Sequence, residues 1–527
     1  MHQPRKSDFG NLFRLTSGRY SQDMYICCGK RLRRFRECAI LLGAVVGFAL
    51  LLARPGLVLA QDSPPAVTSV PTPAANSDCL PIATSSPEAA RLFEEGLHLR
   101  YDFHTAEALV KFREAARKDP AFARARAYIV LLGSDPAEAK WASDKARLAS
   151  QNASPGDQLL VRWVTSSDEG HFLDAIQAMN DLMAKCPRDA QLNYEAGLWV
   201  RAQGDGAGAV RLTQRALEIK PDFAGALNTL AYQLASMRKY EPAISYLKRY
   251  IELEPKDANP YDSLAEILQM AGRVEESLAE YRRALSVDPK FFSSQKGLGN
   301  DYALLGNEEH ARQEYAKALP LAATPQEKLD TEIQAASTYA REGDRKRARV
   351  ELAKVLDEAT KLKISDYQSL IHQDLALLAD SPAIAFRHLD AAEAALPPSA
   401  HVSGARRDRM LARSLETRAR LAAEFGNLAM AHAAVARLDK MLQTSRSNAV
   451  ERAYHGANGA LMAAQKKNRA AIEELEEDPE NAPSIAKLAQ LQEVSGSPRD
   501  AAETRALLQA DYAPSLEDWL VVRNFRH

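Results

Sequence analysis

A chain of 527 residues is longer than one globular core normally holds. Its 68 Lys and Arg nearly balance 69 Asp and Glu, which leaves no overall basic surface of the kind a nucleic-acid binder uses. Cysteine is used sparsely, five in all.

Residues 1–37 form a basic leader, with nine Lys or Arg in residues 1–36 against only Asp8 and Asp23. An apolar run of 16 residues follows, Cys38–Ala53. It is short for a membrane-spanning helix and suited to a signal-peptide core. Arg54-Pro55 then breaks any helix, and Val58-Leu59-Ala60 fits a signal-peptidase site after Ala60. Segment 38–60 is therefore expected to be a cleaved signal core or a retained anchor. Both place the rest of the chain in the periplasm or cell envelope, with the basic side cytoplasmic. A start at Met24 would make the leader an ordinary length, with Lys30–Arg36 as its basic region. Cleavage removes ten basic and three acidic side chains and leaves 58 against 66, which again argues against nucleic acid. Residues 61–86 carry Pro64, Pro65, Pro71, Pro73 and Pro81 among Ser, Thr and Ala; this composition predicts an extended linker.

From Pro87 to Ala323 the chain is periodic. Pro187, Pro221, Pro255 and Pro289 stand 34 residues apart, each closing a similar segment such as LEIKPDF or IELEPKD. In repeats opening at Ala190, Ala224, Ala258 and Phe292, the eighth position holds Gly197, Ala231, Ala265 and Gly299. The twentieth holds Ala209, Ala243, Ser277 and Ala311, and the twenty-fourth Thr213, Leu247, Tyr281 and Tyr315. Apolar residues on either side of a central polar break recur at helical spacing, so each unit is expected to be two antiparallel helices. Small residues let two helices approach closely, and proline ends the second helix because it lacks the N–H. Earlier units fit at Leu92, Gly96, Ala108, Phe112 and Pro120, then over 123–155 with a second helix after Asp135-Pro136, then at Trp163, Ala175, Met179 and Leu182. Residues 324–512 continue as degenerate pairs without the prolines, and the tail 513–527, with Trp519, is expected to cap the last one.

Leu227, Leu230 and Ala231, Leu298, Gly299 and Tyr302, and the alanine and proline columns together resemble the tetratricopeptide repeat (TPR) family. The resemblance implies an all-α, right-handed superhelix of about twelve antiparallel helix pairs. It also implies a concave face lined by the first helix of each pair, where protein or peptide ligands bind. The opening SPEAARLFEEGLHLR and the ASQNASPGDQLLVRW stretch are similar to TPR portions of bacterial signalling proteins, without room for their kinase or DNA-binding domain.

No HExxH, GxSxG or P-loop pattern occurs, so no catalytic residue, cofactor or metal is expected. Gly204-Asp205-Gly206-Ala207-Gly208 falls at a repeat's internal turn rather than after a strand. His98 and His104, six apart, do not share a helix face. Cys79 and Cys186 survive cleavage; lying in a linker and beside a closing proline, they are not expected to form an intramolecular bridge, and Cys79 is expected to be an exposed thiol, free or bridging two chains. The inward positions of the first helices give a candidate ligand groove: Tyr194, Arg201, Asn228, Tyr232, Asn259, Asp262, Glu266, Lys296 and Asn300. Its amides and tyrosines suit an extended peptide backbone, and the same mixture also suits a solvated surface. Lys296 and Asn300 match the first positions of the family's carboxylate clamp, whereas Gln334, Tyr367 and Ile371 depart from it. The expected function is an exported, non-enzymatic scaffold for protein or peptide ligands. The alternative is a membrane-anchored sensor working with a separate kinase or regulator.

Overall fold

The computed structural model describes residues 80–522, apart from 134, 135, 204, 398–403, 446, 480 and 510–514. The expectations for the leader, the apolar run and most of the linker lie outside the described residues. All 25 α-helices among the described residues fall into twelve consecutive pairs and one final helix. The pairs are α1 (Pro87–Tyr101) with α2 (Thr105–Lys118), α3 (Ala123–Leu132) with α4 (Pro136–Ser150), and α5 (Pro155–Asp168) with α6 (Phe172–Lys185). Next come α7 (Ala190–Ala202) with α8 (Gly206–Ile219), α9 (Ala224–Ser236) with α10 (Tyr240–Leu253), and α11 (Asn259–Met270) with α12 (Val274–Val287). Then follow α13 (Phe292–Leu304) with α14 (Glu308–Ala318), α15 (Pro325–Arg341) with α16 (Arg345–Lys361), and α17 (Ser365–Leu377) with α18 (Pro382–Ala394). The last are α19 (Gly404–Glu424) with α20 (Leu428–Leu442), α21 (Asn448–Ala464) with α22 (Asn468–Leu475), and α23 (Ala482–Val494) with α24 (Pro498–Gln509). Helix α25 (Leu516–Val522) ends the described chain.

The local chemistry explains the boundaries. Ser86, Ser154, Thr324 and Ser381 each cap a helix that opens with proline, and Thr324 forms a full capping box with Glu327. These side chains satisfy amides that have no partner in the first turn, where proline costs nothing. Asp205 caps α8 by accepting from the Gly208 amide at 2.6 Å, so the Gly-rich stretch serves a turn and a cap. Most of the described turns inside a pair use one left-handed residue. Gly170, Gly272 and Gly306 supply it at φ near +75°, and Arg238 takes the same place at +57°.

The small-residue columns lie where paired helices meet. A Cβ on Gly299 would sit 2.5 Å from the Tyr315 ring, and one on Gly197 would sit 3.0 Å from Thr213. The eighth position thus receives the side chain of the twenty-fourth. Ala209, Ala243, Ser277 and Ala311 are fully buried.

Each first helix, from α9 onward, also packs on the first helix of the next pair, whereas among the described elements second helices make no comparable packing with one another. The odd-numbered helices therefore form the tighter inner layer and the even-numbered ones the outer layer. This is the stacked-pair architecture expected of a helical repeat, in which each unit buries its core against its neighbours.

The N-terminal end differs from a free linker. Arg124 donates to the carbonyls of Leu80 and Pro81 at 2.8 Å each, and Leu80 and Ile82 pack against the first core cluster. Cys186 is buried and disulfide-bonded, which corrects the expectation against an intramolecular bridge. The other four cysteines, Cys79 included, lie outside the described residues. The segment before Pro87 was expected to be loose, whereas Arg124 and the core hold residues 80–82 against the array.

Candidate ligand groove

The inner layer carries two polar columns at the 34-residue period. One runs Tyr194, Asn228, Asp262, Lys296 and Asp330; the other includes Tyr232, Glu266 and Asn300. Their surroundings change along the array. Tyr194 is buried, its hydroxyl 3.0 Å from that of Thr229 and its ring against Tyr101 and Phe223. Asn228 is buried as well. The cause is helix α1, whose last turn lies over this part of the inner face. Arg100 pairs with Glu195 at 3.1 Å, and the Tyr101 carbonyl would be 2.5 Å from a Cβ on Gly225. Glycine at that inward position lets the backbone of α1 come this close. Tyr194 and Asn228 therefore belong to the seam between α1, α7 and α9 and offer no open surface.

Beyond this seam the columns join across successive helices. The Tyr232 hydroxyl on α9 donates to Glu266 on α11. The Ser294 hydroxyl on α13 donates to Asp262 on α11 at 2.6 Å. The Lys296 ammonium on α13 lies 2.6 Å from Asp330 on α15. Glu266 is exposed, Tyr232, Lys296 and Asp330 are partly exposed, and Asp262 is buried beneath them. Burial pushes the Asp262 carboxyl up to about 7; nearby Glu266 adds to the rise, while the Ser294 hydrogen bond and Lys296 oppose it. Burial and Glu266 also raise the Tyr232 hydroxyl, which stays a donor. The other two amides are engaged from below: Asn259 donates to Tyr250 at 3.2 Å, and Asn300 accepts from Tyr315 at 2.8 Å. Arg201 is exposed on α7. The open part of the groove therefore centres on Tyr232, Glu266, Lys296 and Asp330, two carboxylates against one ammonium.

A carboxylate already faces Lys296, and Ile371, at a clamp position, is fully buried in the core between α15, α16 and α17. Asp330 and Ser294 escaped sequence analysis. Asp330 lies one further period along the column of Asp262 and Lys296, so extending that column past the last regular proline would have reached it. Ser294 is at no repeating polar position and gave no signal. Among the histidines, His98 lies beside Asp102, and the structure brings together His372 on α17 and His388 on α18, with Nδ1 atoms 3.2 Å apart. Burial and His388 lower His372 to about 4, so the two rings pack without charge at neutral pH. Among the described residues no group of three or more His, Cys, Asp and Glu is placed to hold a metal ion.

Comparison with known proteins adds the following. Residues 224–257, which span α9 and α10, match the tetratricopeptide repeat model. No protein of curated function matches the chain. Solved structures that resemble parts of it include a thermophilic TPR protein of Thermus thermophilus, TTC0263. That protein is 23% identical, with 38% of this chain and 98% of the other covered and a TM-score of 0.29. A tetratricopeptide repeat protein from Parabacteroides merdae is 14% identical, covering 51% of this chain and 93% of the other at a TM-score of 0.33. YrrB, described as a TPR protein with an unusual peptide-binding site, is 17% identical, covering 34% and 91% at 0.27. Scores this low carry no argument about the array as a whole. The matched unit, the 34-residue period around it and the helix pairs stacked on either side show a tetratricopeptide-type repeat fold.

Proposed function

We propose that the protein is a non-enzymatic scaffold that holds an extended segment of another protein on the inner face of α9, α11, α13 and α15. The observation that supports it is the polar ladder from Tyr232 through Glu266 to Lys296 and Asp330, built from accessible side chains one repeat apart. Repeats of this size present recognition groups about one helix-pair width apart, a spacing an extended peptide spans in a few residues. Hydroxyl and carboxylate acceptors meet backbone N–H groups, and the excess of acidic groups favours a partner segment carrying Lys or Arg opposite Glu266.

The setting we propose is the cell envelope, reached through the basic leader and the Cys38–Ala53 run, either after cleavage behind Ala60 or with that run kept as an anchor. No helix among the described residues is long and apolar enough to cross a membrane. The test is affinity capture from envelope extracts with the parent chain and with a Tyr232→Ala, Glu266→Lys, Lys296→Glu variant. A partner recovered by the parent should bind the variant at least tenfold more weakly while the variant's helicity is unchanged. Equal recovery by both chains would remove the inner-face assignment.

A further inference from the structure

The last described helix does not stop at the final pair. Val522 joins Ala482, Ile485 and Leu508 of α23 and α24, yet Leu516 lies in the core formed by α15, α16 and α17. Trp519 lies beneath the Arg341 guanidinium of α15, 5.7 Å from the ring centre. Glu517 is buried, and its carboxylate receives Arg413 at 3.1 Å and Arg420 at 2.9 Å, both from α19, with Thr417 at 3.5 Å. Burial alone would push this carboxyl up, but the two guanidinium groups outweigh it and hold Glu517 below its usual range. Helix α25 thus lies along the inner layer of the C-terminal half, touching helices about one hundred residues away in sequence.

We propose that α25 is an intramolecular ligand of the C-terminal groove, occupying a site that takes an acidic, Leu- and Trp-bearing helical segment of a partner protein. Three features distinguish it from a cap. A cap needs apolar cover for the last pair, whereas α25 is recognised through a carboxylate enclosed by two arginines, a charge-specific contact. At seven residues the helix is too short to hold its own form, so its bed on the inner layer shapes it. The groove also continues past it. A cavity of about 770 Å³, walled by Leu520, Val521, Glu416, Arg420, Ala460 and Ala489, lies beside α25 and gives a longer segment room. This site lies in a different part of the array from the Tyr232–Asp330 ladder and does not rest on that reading.

The test uses the full chain and a labelled peptide of residues 515–522. Parent chain, a Leu516→Ala, Glu517→Ala variant that frees the groove, and the same variant with Arg413→Ala are compared by fluorescence anisotropy. The freed chain should bind the peptide at least tenfold more tightly than the parent, and Arg413→Ala should remove at least tenfold of that gain. Equal binding by parent and freed chains overturns the proposal, as does a freed chain of parental helicity that binds no peptide. Should the freed chain lose helicity, hydrogen exchange on the unaltered chain decides. Amides of α25 exchanging at least tenfold faster than those of α23 support a displaceable ligand; equal protection overturns it.

Discussion

Ala243→Glu should lower the folding stability by about 2–4 kcal/mol, because it places a carboxylate where no water and no cation can reach it. Ala243 is fully buried on α10, in the column it shares with Ala209, Ser277 and Ala311. That column faces the paired first helix at a close approach: in the preceding pair a Cβ on Gly197 would lie 3.4 Å from the Ala209 carbonyl oxygen. In a stacked array the damage passes to neighbouring units through their shared interfaces, so the effect is expected across the transition and not only in one pair. Chemical denaturation followed by circular dichroism checks it. A midpoint equal to the parent's would mean that Ala243 does not face α9 and that the repeat register is misplaced.

Raising the pH from 5.5 to 8.5 should destabilise the protein. Four buried carboxyls, Asp262, Asp301, Glu308 and Asp374, are each pushed up to about 7, in every case chiefly by burial. Glu266 adds to the rise at Asp262 and Glu275 at Asp301. Glu342 does so at Glu308, against Arg341 and Arg312, and Glu517 at Asp374, against Arg413. A carboxyl whose folded pKa exceeds its unfolded value binds more protons in the folded state. Its favourable contribution is therefore complete below the unfolded value and is lost as the pH climbs through 7. Asp301 is the cleanest case. It is fully buried on α13, and Gln269 donates to its Oδ1 at 2.7 Å, a contact that Asn keeps. Asp301→Asn should leave the melting temperature at pH 5.5 nearly unchanged, raise it at pH 8.5 and reduce the slope between them. A melting temperature independent of pH across this window would contradict the burial of these groups as charged species.

The repeat architecture was legible because its determinants are local and periodic. Gly197 against Thr213, Gly299 against Tyr315 and the closing prolines each act within one pair or between neighbours, and the sequence repeats them at one interval. What sequence reasoning missed acts across pairs. Tyr194 stands at an inward offset, yet the end of α1 covers it from three pairs earlier through Tyr101 and Arg100. Glu517 is one acidic residue in a tail, and nothing near it in sequence announces Arg413 and Arg420. Residues 80–82 are tied down by Arg124, a contact more than forty residues away along the chain. The polar columns from Tyr232 to Lys296 were readable since there the period itself brings the side chains together, whereas Asp330, one period further, was missed beyond the last regular proline.

The central claim is that the inner layer of the middle repeats is the binding face. Amide hydrogen exchange of the full chain, alone and saturated with a partner captured as above, tests it most directly. The account predicts slowed exchange concentrated on α9, α11, α13 and α15, with α10, α12 and α14 little changed. Protection confined to α10, α12 and α14 would place the partner on the outer layer and contradict it.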